Sequence, residues 1–176
     1  MLAPHSSFME EAQPMSASTT KALSLAIVAA LWAVISHFGK LPLQLWPVIV
    51  GLACYVGAGG GVMGLQKSVL GSASGVVWAL LYAAVSTALG RNDLLDALLL
   101  GAAVFGMVFQ ARIPLLSYTT GALAGAATAM GARAVAINGG VRIVIALAIG
   151  CVLGIAAERV AEMLGRMRVV PAMSNR

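Results

Sequence analysis

The charged residues of this chain are few, and they fall between long apolar runs. From Lys21 onward, 18 residues without Asp, Glu, Lys or Arg precede Lys40, and 26 more precede Lys67. Later uncharged runs of 23 and 20 residues end at Arg91 and Arg133. An α-helix needs about 20 mainly apolar residues to cross a hydrocarbon core of roughly 30 Å. The spacing therefore predicts an all-α, polytopic membrane protein.

The composition places the chain outside the range of soluble proteins. Of its 176 residues, 60% are hydrophobic and 10% are charged, whereas about 25% are charged in an average soluble domain. The length fits one helical membrane domain, and no interval outside the apolar runs would hold a nucleotide-binding domain. The net charge of +5 comes largely from basic residues at predicted helix ends. We therefore expect the lipid bilayer as a partner and no nucleic acid.

Six membrane helices are predicted, or five if one of two interrupted segments is re-entrant. Pro42, Pro47 and the glycines of 57–61 bound the short second segment, because proline lacks an N–H and glycine weakens a helix interior. Pro114 opens the fifth segment, since a first helical turn tolerates proline. Asn138-Gly139-Gly140 predicts a turn before the sixth. The predicted limits are 20–36, 44–56, 68–89, 93–110, 115–130 and 141–157, inside a membrane domain at 20–166.

Basic residues orient the predicted helices. With six crossings, seven basic residues share a side with both termini and four lie on the other. Because Lys and Arg collect on the cytoplasmic side, both termini are expected in the cytoplasm. A re-entrant second or fifth segment would move the N-terminus to the other side. Residues 1–19 are expected to form a disordered cytoplasmic tail, and residues 167–176 a basic C-terminal tail.

Glycine pairs at helical spacing predict close contacts between helices. Helices in lipid gain no hydrophobic drive from meeting each other, so small residues that let backbones approach promote their association. The pairs serve either packing within one chain or an interface between copies, and we expect a homo-oligomer. They are Gly71 with Gly75, Gly121 with Gly125, and Gly150 with Gly154.

A faint internal repeat has an offset of 50 residues. It would map the second and third predicted helices onto the fourth and fifth. In a chain with 20 glycines, the match is either coincidence or the internal duplication that marks some transporter folds. The recurring positions are Gly51, Gly71 and Gly75, matched by Gly101, Gly121 and Gly125.

A run of polar side chains follows Pro114. Hydroxyl groups in a helix can bond to a carbonyl of the preceding turn, so one interpretation is polarity satisfied within the helix. The alternative is a surface that faces a solute. Two glutamines beside basic residues and the glycine-rich break support it, because non-helical backbone in a membrane is covered by protein or lines water. The candidate pathway residues are Ser117, Tyr118, Thr119, Thr120, Gln66, Gln110, Gly57, Gly59, Gly60 and Gly61.

No charged residue falls near the centre of a predicted helix. Proton and ion pathways are usually marked by carboxylates or histidines within the membrane, so the sequence does not indicate a coupled pump. No metal-binding, nucleophile-elbow or phosphate-loop pattern occurs, and the isolated carboxylates lack a placed histidine or serine partner. We therefore expect no enzymatic activity, no metal and no cofactor.

Several stretches resemble one family of bacterial inner-membrane proteins. The most specific are Ser74-Gly75-Val76-Val77-Trp78 and Gln110-Ala111-Arg112, the second leading to Leu115-Leu116-Ser117-Tyr118. In these stretches the chain resembles the YcdZ-like proteins, with the likeness covering about residues 22–158. The resemblance implies a multi-helix protein of the bacterial inner membrane. It transfers no catalytic residue and no substrate.

The leading hypothesis is a passive channel or facilitator for a small, mostly uncharged polar solute of urea or amide size. Hydroxyl groups, amides and backbone carbonyls would replace the hydration of the solute. Two alternatives stay open. One is a non-catalytic membrane subunit or scaffold that packs against a partner membrane protein. The other is a gradient-coupled secondary transporter, although the sequence shows no site for a coupling ion.

Overall fold

The computed structural model describes residues 17–39, 44–134 and 136–167, which form a helical bundle without a strand. Each helix contains a long apolar stretch. Two short 3-10 turns, at Gln110–Arg112 and Pro114–Leu116, connect the fourth helix to the fifth. The α-helices are α1 (Ala17–Phe38), α2 (Leu45–Gly57), α3 (Gly61–Ala88), α4 (Asp93–Phe109), α5 (Thr119–Gly131) and α6 (Ile137–Met167).

Four helices in the described part of the chain are long and apolar enough to cross a membrane. They cover Thr19–Phe38, Gly61–Ala88, Asp93–Arg112 and Ile137–Leu164. Helices α2 and α5 have 13 residues each. At 1.5 Å per residue each is about 20 Å long, shorter than a hydrocarbon core of about 30 Å. The predicted membrane helical fold is confirmed, and the two segments predicted as interrupted are the two short helices.

Helix α3 begins at Gly61 and not, as predicted, at Ser68. Its first turn has a bond from the N–H of Gly64 to the carbonyl of Gly60 at 3.0 Å. Gly60 and Gly61 have φ of 73° and 66°, which glycine adopts at little cost. Lys67 therefore lies inside the helix, where a long aliphatic stem can cover apolar surface while its ammonium group reaches water. This charge does not mark the helix end.

Helix α6 begins at Ile137, so the predicted turn at Asn138-Gly139-Gly140 is wrong. These residues form the first turn of the helix, with the N–H of Gly140 bonded to the carbonyl of Ala136 at 3.0 Å. Gly140 lies against the side chain of Leu80 on α3. Close packing of two helices therefore uses a glycine that the sequence pattern assigned to a loop. Helix α1 also starts earlier than predicted, at Ala17.

Helix α5 begins at Thr119 and not at the predicted Leu115. Ile113 is extended, with ψ of 120°, because the ring of a following proline excludes helical angles. Pro114 then stands at the start of a separate 3-10 turn of three residues. Proline opens a helical turn as predicted, but this turn is not part of α5.

Glycines bring α3 and α5 into backbone contact. A β-carbon at Gly75 would overlap the carbonyl oxygen of Ala122, and one at Gly125 would overlap that of Ser72. The two helices therefore approach at a distance that only glycine permits. Such contacts increase the van der Waals packing on which helix association in lipid depends.

The spacing of 50 residues between glycines has a packing origin. Gly71 and Gly75 on α3 lie along the contact with Gly121 and Gly125 on α5. Gly101, which the predicted repeat pairs with a closely packed glycine of α2, faces open space. The offset is therefore a register between two helices in contact and not a duplication of helices.

Helices α2 and α6 form a second close contact. A β-carbon at Gly51 would overlap the carbonyl oxygen of Leu147, and one at Gly150 would overlap that of Val48. The contact is further stabilised by the thiol of Cys151, which donates to the carbonyl of Gly51 at 3.3 Å. Two glycine-mediated contacts thus hold the two short helices against the two longest ones.

Helices α3 and α6 run in opposite directions at the centre of the bundle. Gly61, at the start of α3, is hydrogen-bonded to Glu158 near the end of α6. Leu80, later in α3, lies against Gly140 at the start of α6. The core around them is made mostly of small side chains, namely Val76, Ala79, Ala103, Met107, Ala122, Ala126, Ala129, Ile143 and Leu147.

Large apolar side chains cover the outside of the bundle. Leu31, Val77, Leu98 and Val152 are each more than half exposed. Large exposed apolar surfaces are unusual on soluble monomers. They suit a helix bundle whose outer faces meet acyl chains.

Candidate functional site

A cavity of about 530 Å³ lies between α3, α4 and α5, at the end of the bundle that carries Arg91 and Arg133. Its polar lining also includes the phenol of Tyr82, the hydroxyl of Ser86 and the carboxylate of Asp96. Small side chains leave the space open. The remaining lining residues are Ala79, Ala83, Ala129, Met130 and Ala134.

One carboxylate oxygen of Asp96 is buried at this cavity. Helix α4 starts after Asn92, whose side chain caps it by accepting from the N–H of Leu94 at 3.0 Å. Asp96 therefore lies in the first turn, where the helix dipole favours negative charge. No donor among the described residues reaches its Oδ1. Buried polar atoms are nearly always paired, so an oxygen without a donor is uncommon.

Two arginines with left-handed backbones stand at the mouth of the cavity. Arg91 and Arg133 have φ of 48° and 52°, which is uncommon outside glycine. The N–H of Arg91 bonds to the carbonyl of Ser86 at 3.1 Å, and that of Arg133 to Met130 at 3.0 Å. Both side chains are exposed. Within the described residues, neither forms an ion pair with Asp96.

At the opposite end of α3, a carboxylate covers the bundle. The hydroxyl of Tyr55 donates to Glu158 Oε2 at 2.5 Å. The N–H of Gly61 lies 2.8 Å from the Tyr55 oxygen and 3.0 Å from the same carboxylate oxygen. This N–H belongs to the start of α3, where its partial positive charge stabilises an anion. We call Tyr55, Gly61 and Glu158 the Glu158 cluster.

Glycines allow the Glu158 cluster to pack closely. Gly154, one turn before Glu158 on α6, lies against the ring of Tyr55, which is only 1% exposed. A β-carbon at Gly60 would overlap the carboxylate of Glu158. Gly59 has φ of 91° and completes the turn from α2 to α3. The glycine-rich break is therefore a tight turn that a carboxylate covers.

Tyr118 is the residue of the predicted polar run that reaches the interior. Its ring lies beside Gly71 and Gly121, and its hydroxyl lies against Gly57 at the end of α2. The side chain is partly buried. Of the predicted pathway, the structure therefore brings together Tyr118 and Gly57, the first residue of the glycine-rich break.

The other members of the polar run lie away from the cavity. Ser117 Oγ donates to the carbonyl of Pro114 at 2.8 Å, the local bond expected of a hydroxyl in a turn. Thr119 is partly buried and Thr120 is exposed in the first turn of α5. The cavity lies at the far end of this helix.

The two predicted glutamines have different surroundings. Gln110 accepts from Trp78 Nε1 at 3.0 Å and donates to Ser74 Oγ at 2.9 Å, which ties the end of α4 to α3. Gln66 is exposed on α3. Neither glutamine lines the cavity.

The sequence did not predict the cavity or the Glu158 cluster, for different reasons. Tyr82 and Ser86 stand four residues apart on α3, a spacing that places them on one helix face. This polar stripe, which leads toward Arg91, is a signal that could have indicated the cavity. Tyr55 and Glu158 are 103 residues apart, and no local pattern connects them.

Metal ligands are not grouped in the described part of the chain. Among those residues, no set of three or more His, Cys, Asp or Glu side chains could hold a metal ion. Cys54 and Cys151 are both buried and free.

Comparison with known proteins identifies a family without adding an activity. A family model described as "Protein of unknown function (DUF1097)" matches residues 22–162. This description does not confirm the YcdZ-like name. No curated protein and no solved structure matches the chain. Because the family match includes parts of all six described α-helices, the chain belongs to the family of unknown function DUF1097.

Proposed function

We propose that this chain is a membrane transport protein, a passive channel or facilitator for a small, uncharged polar solute of urea or amide size. The proposal rests on a polytopic helical bundle with a polar cavity at one end. The observation that carries it is this cavity, whose lining combines the polar residues Tyr82, Ser86 and Asp96 with small alanines.

The lining of the cavity suits an amide-like solute. An N–H of the solute can donate to Asp96, and its carbonyl oxygen can accept from Tyr82 or from a guanidinium group. The lining includes Asp96, Arg91 and Arg133, so it offers both a carboxylate and guanidinium groups to a solute. A dipolar, uncharged solute finds a partner at each group.

The volume supports a vestibule rather than a tight binding pocket. A single water occupies about 30 Å³ of liquid volume, whereas the cavity measures about 530 Å³. A solute of urea size therefore enters with part of its hydration shell. Selection has to occur deeper in the bundle, where lining groups replace that shell.

Helix α3 supplies polar groups between the two ends of the bundle. Ser68 and Ser72 are buried on the helix between the Glu158 cluster and the cavity. Each hydroxyl donates to a carbonyl three residues earlier, at 3.0 and 3.2 Å, so in the proposed path it would act as a hydrogen-bond acceptor. The chain thus offers hydroxyl groups, and not charges, along the inner face of α3.

Solute flux in proteoliposomes tests the proposal. We expect urea, acetamide or glycerol to enter vesicles that contain the purified protein faster than empty vesicles, as measured by stopped-flow light scattering. Ala83→Phe should lower the flux to the level of empty vesicles, because the ring fills the cavity that Ala83 lines.

Ala84→Phe is the matched control, since Ala84 is the next residue of α3 and is exposed. It should retain wild-type flux. The proposal is wrong if no solute of the panel crosses faster than in empty vesicles, a result that favours a non-transport membrane subunit. Wild-type flux in Ala83→Phe would remove the cavity from the pathway.

A further inference from the structure

The two short helices occupy equivalent places in the chain. Helices α2 and α5 both have 13 residues and begin 74 residues apart. Each ends in the same turn: an alanine with helical backbone angles, Ala58 or Ala132, precedes a residue with positive φ, Gly59 or Arg133. The turn is the same although a positive φ costs arginine more free energy than it costs glycine.

The hydrogen bonds of the two turns also correspond. In each turn the N–H of the third residue bonds to the carbonyl five residues earlier. The N–H of Gly60 bonds to the carbonyl of Tyr55 at 3.3 Å, and the N–H of Ala134 bonds to that of Ala129 at 2.9 Å. The same offset of 74 residues relates both donors and both acceptors. A common turn geometry is therefore built from two unlike sequences.

The contact of α2 with α6 has the same construction as the contact of α5 with α3. In both, a glycine of the short helix meets a carbonyl of the long helix, and a glycine of the long helix meets a carbonyl of the short one. Offsets of 74 residues for the short helices and 75 for the long ones relate the two sets. The equivalent pairs are Val48 with Ala122, Gly51 with Gly125, Leu147 with Ser72 and Gly150 with Gly75.

The remaining helices follow the same exchange. Helix α1 packs on α6, and α4 packs on α3. Exchanging α1 with α4, α2 with α5 and α3 with α6 therefore gives the same set of helix contacts. The bundle consists of two three-helix halves, each of which packs its short helix against the long helix of the other.

The two halves have opposite directions. Helices α3 and α6 are antiparallel. Trp46 at the start of α2 lies beside Gly131 at the end of α5, whereas Tyr118 before α5 lies beside Gly57 at the end of α2. A twofold rotation that reverses its helices has an axis perpendicular to them. For helices that cross a bilayer, this axis lies in the membrane plane, the arrangement of inverted repeats in transporters.

The same relation connects the cavity to the Glu158 cluster. Four residues that line the cavity are equivalents of residues at the closed end. Alanines stand at the positions of a phenol and a carboxylate, so the space that side chains fill at one end is empty at the other. The equivalent pairs are Ala129 with Tyr55, Ala83 with Glu158, Arg133 with Gly59, and Ala134 with Gly60.

We propose that the chain is an inverted repeat and that the Glu158 cluster closes the second mouth of the solute path, the counterpart of the open cavity. This inference rests on the proposed function, because a mouth requires a path. The hydroxyl of Tyr55 and the N–H of Gly61 hold the carboxylate in place. Passage of a small uncharged solute requires these bonds to break, so that Glu158 moves away from the turn between α2 and α3.

Native thiols report on this opening. Cys54 directly precedes Tyr55, Cys151 lies two turns before Glu158, and both are at most 3% exposed. A thiol reacts as the thiolate, so a cysteine in dry apolar surroundings is inert. The experiment measures the rate at which N-ethylmaleimide modifies the full-length protein in proteoliposomes, by mass spectrometry of Cys54 and Cys151.

Tyr55→Phe keeps the volume of the ring and removes the hydroxyl that holds Glu158. We expect a several-fold faster modification of Cys54 or Cys151 in this variant, with the same thermal unfolding midpoint within a few degrees. Glu162→Gln is the matched control: its carboxylate lies one turn further along α6, exposed and paired with Arg159 at 3.4 Å. It should leave the labelling rate unchanged.

The outcomes separate the two proposals. Unchanged labelling in a folded Tyr55→Phe protein overturns the second mouth, even where the wild type carries solute. An equal increase in Glu162→Gln overturns it too, because the effect is then not specific to the cluster. Faster labelling in Tyr55→Phe with no flux in any protein supports a closure that opens, while the proposed transport function fails.

Discussion

At the scale of single residues, one polar side chain that was predicted to line a solute pathway, Gln110, instead joins two helices. Both ends of the Gln110 amide are occupied, one by the indole of Trp78 and one by the hydroxyl of Ser74. The hydroxyl of Ser74 continues to the carbonyl of Gly71 at 2.7 Å. Removing one member of such a hydrogen-bond network destabilises the fold, because a buried donor without a partner has lost its hydration and gained no bond.

Gln110→Leu should destabilise the folded protein. It leaves the Trp78 N–H without its acceptor, which costs about 1–3 kcal/mol, and it removes the donor to Ser74 Oγ, which keeps its bond to Gly71. The midpoint of thermal unfolding in detergent measures the loss. Gln66→Leu is the control, since Gln66 is exposed, and it should shift the midpoint little. Equal midpoints for both variants would show that the Gln110 bonds contribute nothing to stability.

At the scale of helices, glycine decides which faces meet. Gly75 and Gly101 occupy helix interiors with opposite surroundings, one against the carbonyl of Ala122 and one in open space. The sequence names both as glycines of an apolar helix. Only the structure shows that Gly75 is a helix-contact residue and that Gly101 is not.

Gly75→Ala and Gly101→Ala should change stability in opposite directions. The added methyl at Gly75 forces α3 and α5 apart and costs about 1–3 kcal/mol, as overpacking usually does. At Gly101 the methyl meets nothing, and alanine gains up to about 1 kcal/mol in helix propensity. Unfolding by denaturant in detergent micelles compares the two proteins. A Gly75→Ala protein as stable as Gly101→Ala would contradict the glycine-mediated contact.

Helix limits show where local pattern is a sufficient guide and where it is not. The start of α4 was predicted to within one residue, since Asp93 was expected as its cap and the structure has Asn92 there. The short length of the second segment was also predicted, because charge and proline act on their own neighbours. The starts of α3 and α6 were not, since Gly61 and Gly140 lie in helices whose glycines accommodate Glu158 and Leu80. Contacts between distant segments override the weak intrinsic preference of glycine for a turn.

At the scale of the whole molecule, the two ends related by the inverted repeat differ because their side chains differ. The halves share their contacts but not their side chains, so the equivalents of Tyr55 and Glu158 are alanines. An exact repeat would have two identical ends. Divergence of the side chains gives the bundle one cavity-bearing end and one end that a carboxylate covers.

Reporter fusions test the orientation of the bundle. Arg91 follows α3, which is antiparallel to α6, so the loop at Arg91 and the end of α6 lie at opposite ends. With both termini in the cytoplasm, as the basic residues predict, a fluorescent protein fused after Arg176 should fluoresce. Alkaline phosphatase inserted after Arg91 should be active. The reverse pattern would place the cavity on the cytoplasmic side. If the reporters instead place Arg91 and Arg176 on the same side of the membrane, the helix directions are contradicted.

By itself the sequence determined the membrane class and six helical segments, of which the second is short. It could do so because the thickness of a hydrocarbon core sets the length of an apolar run, and that length is read along the chain. The cavity, the Glu158 cluster and the pairing of the two halves were decided only by the tertiary structure. Tyr55 and Glu158 meet across 103 residues. Their interaction depends on which helices pack together. Backbone contacts at glycines control this packing, and no local sequence pattern shows it.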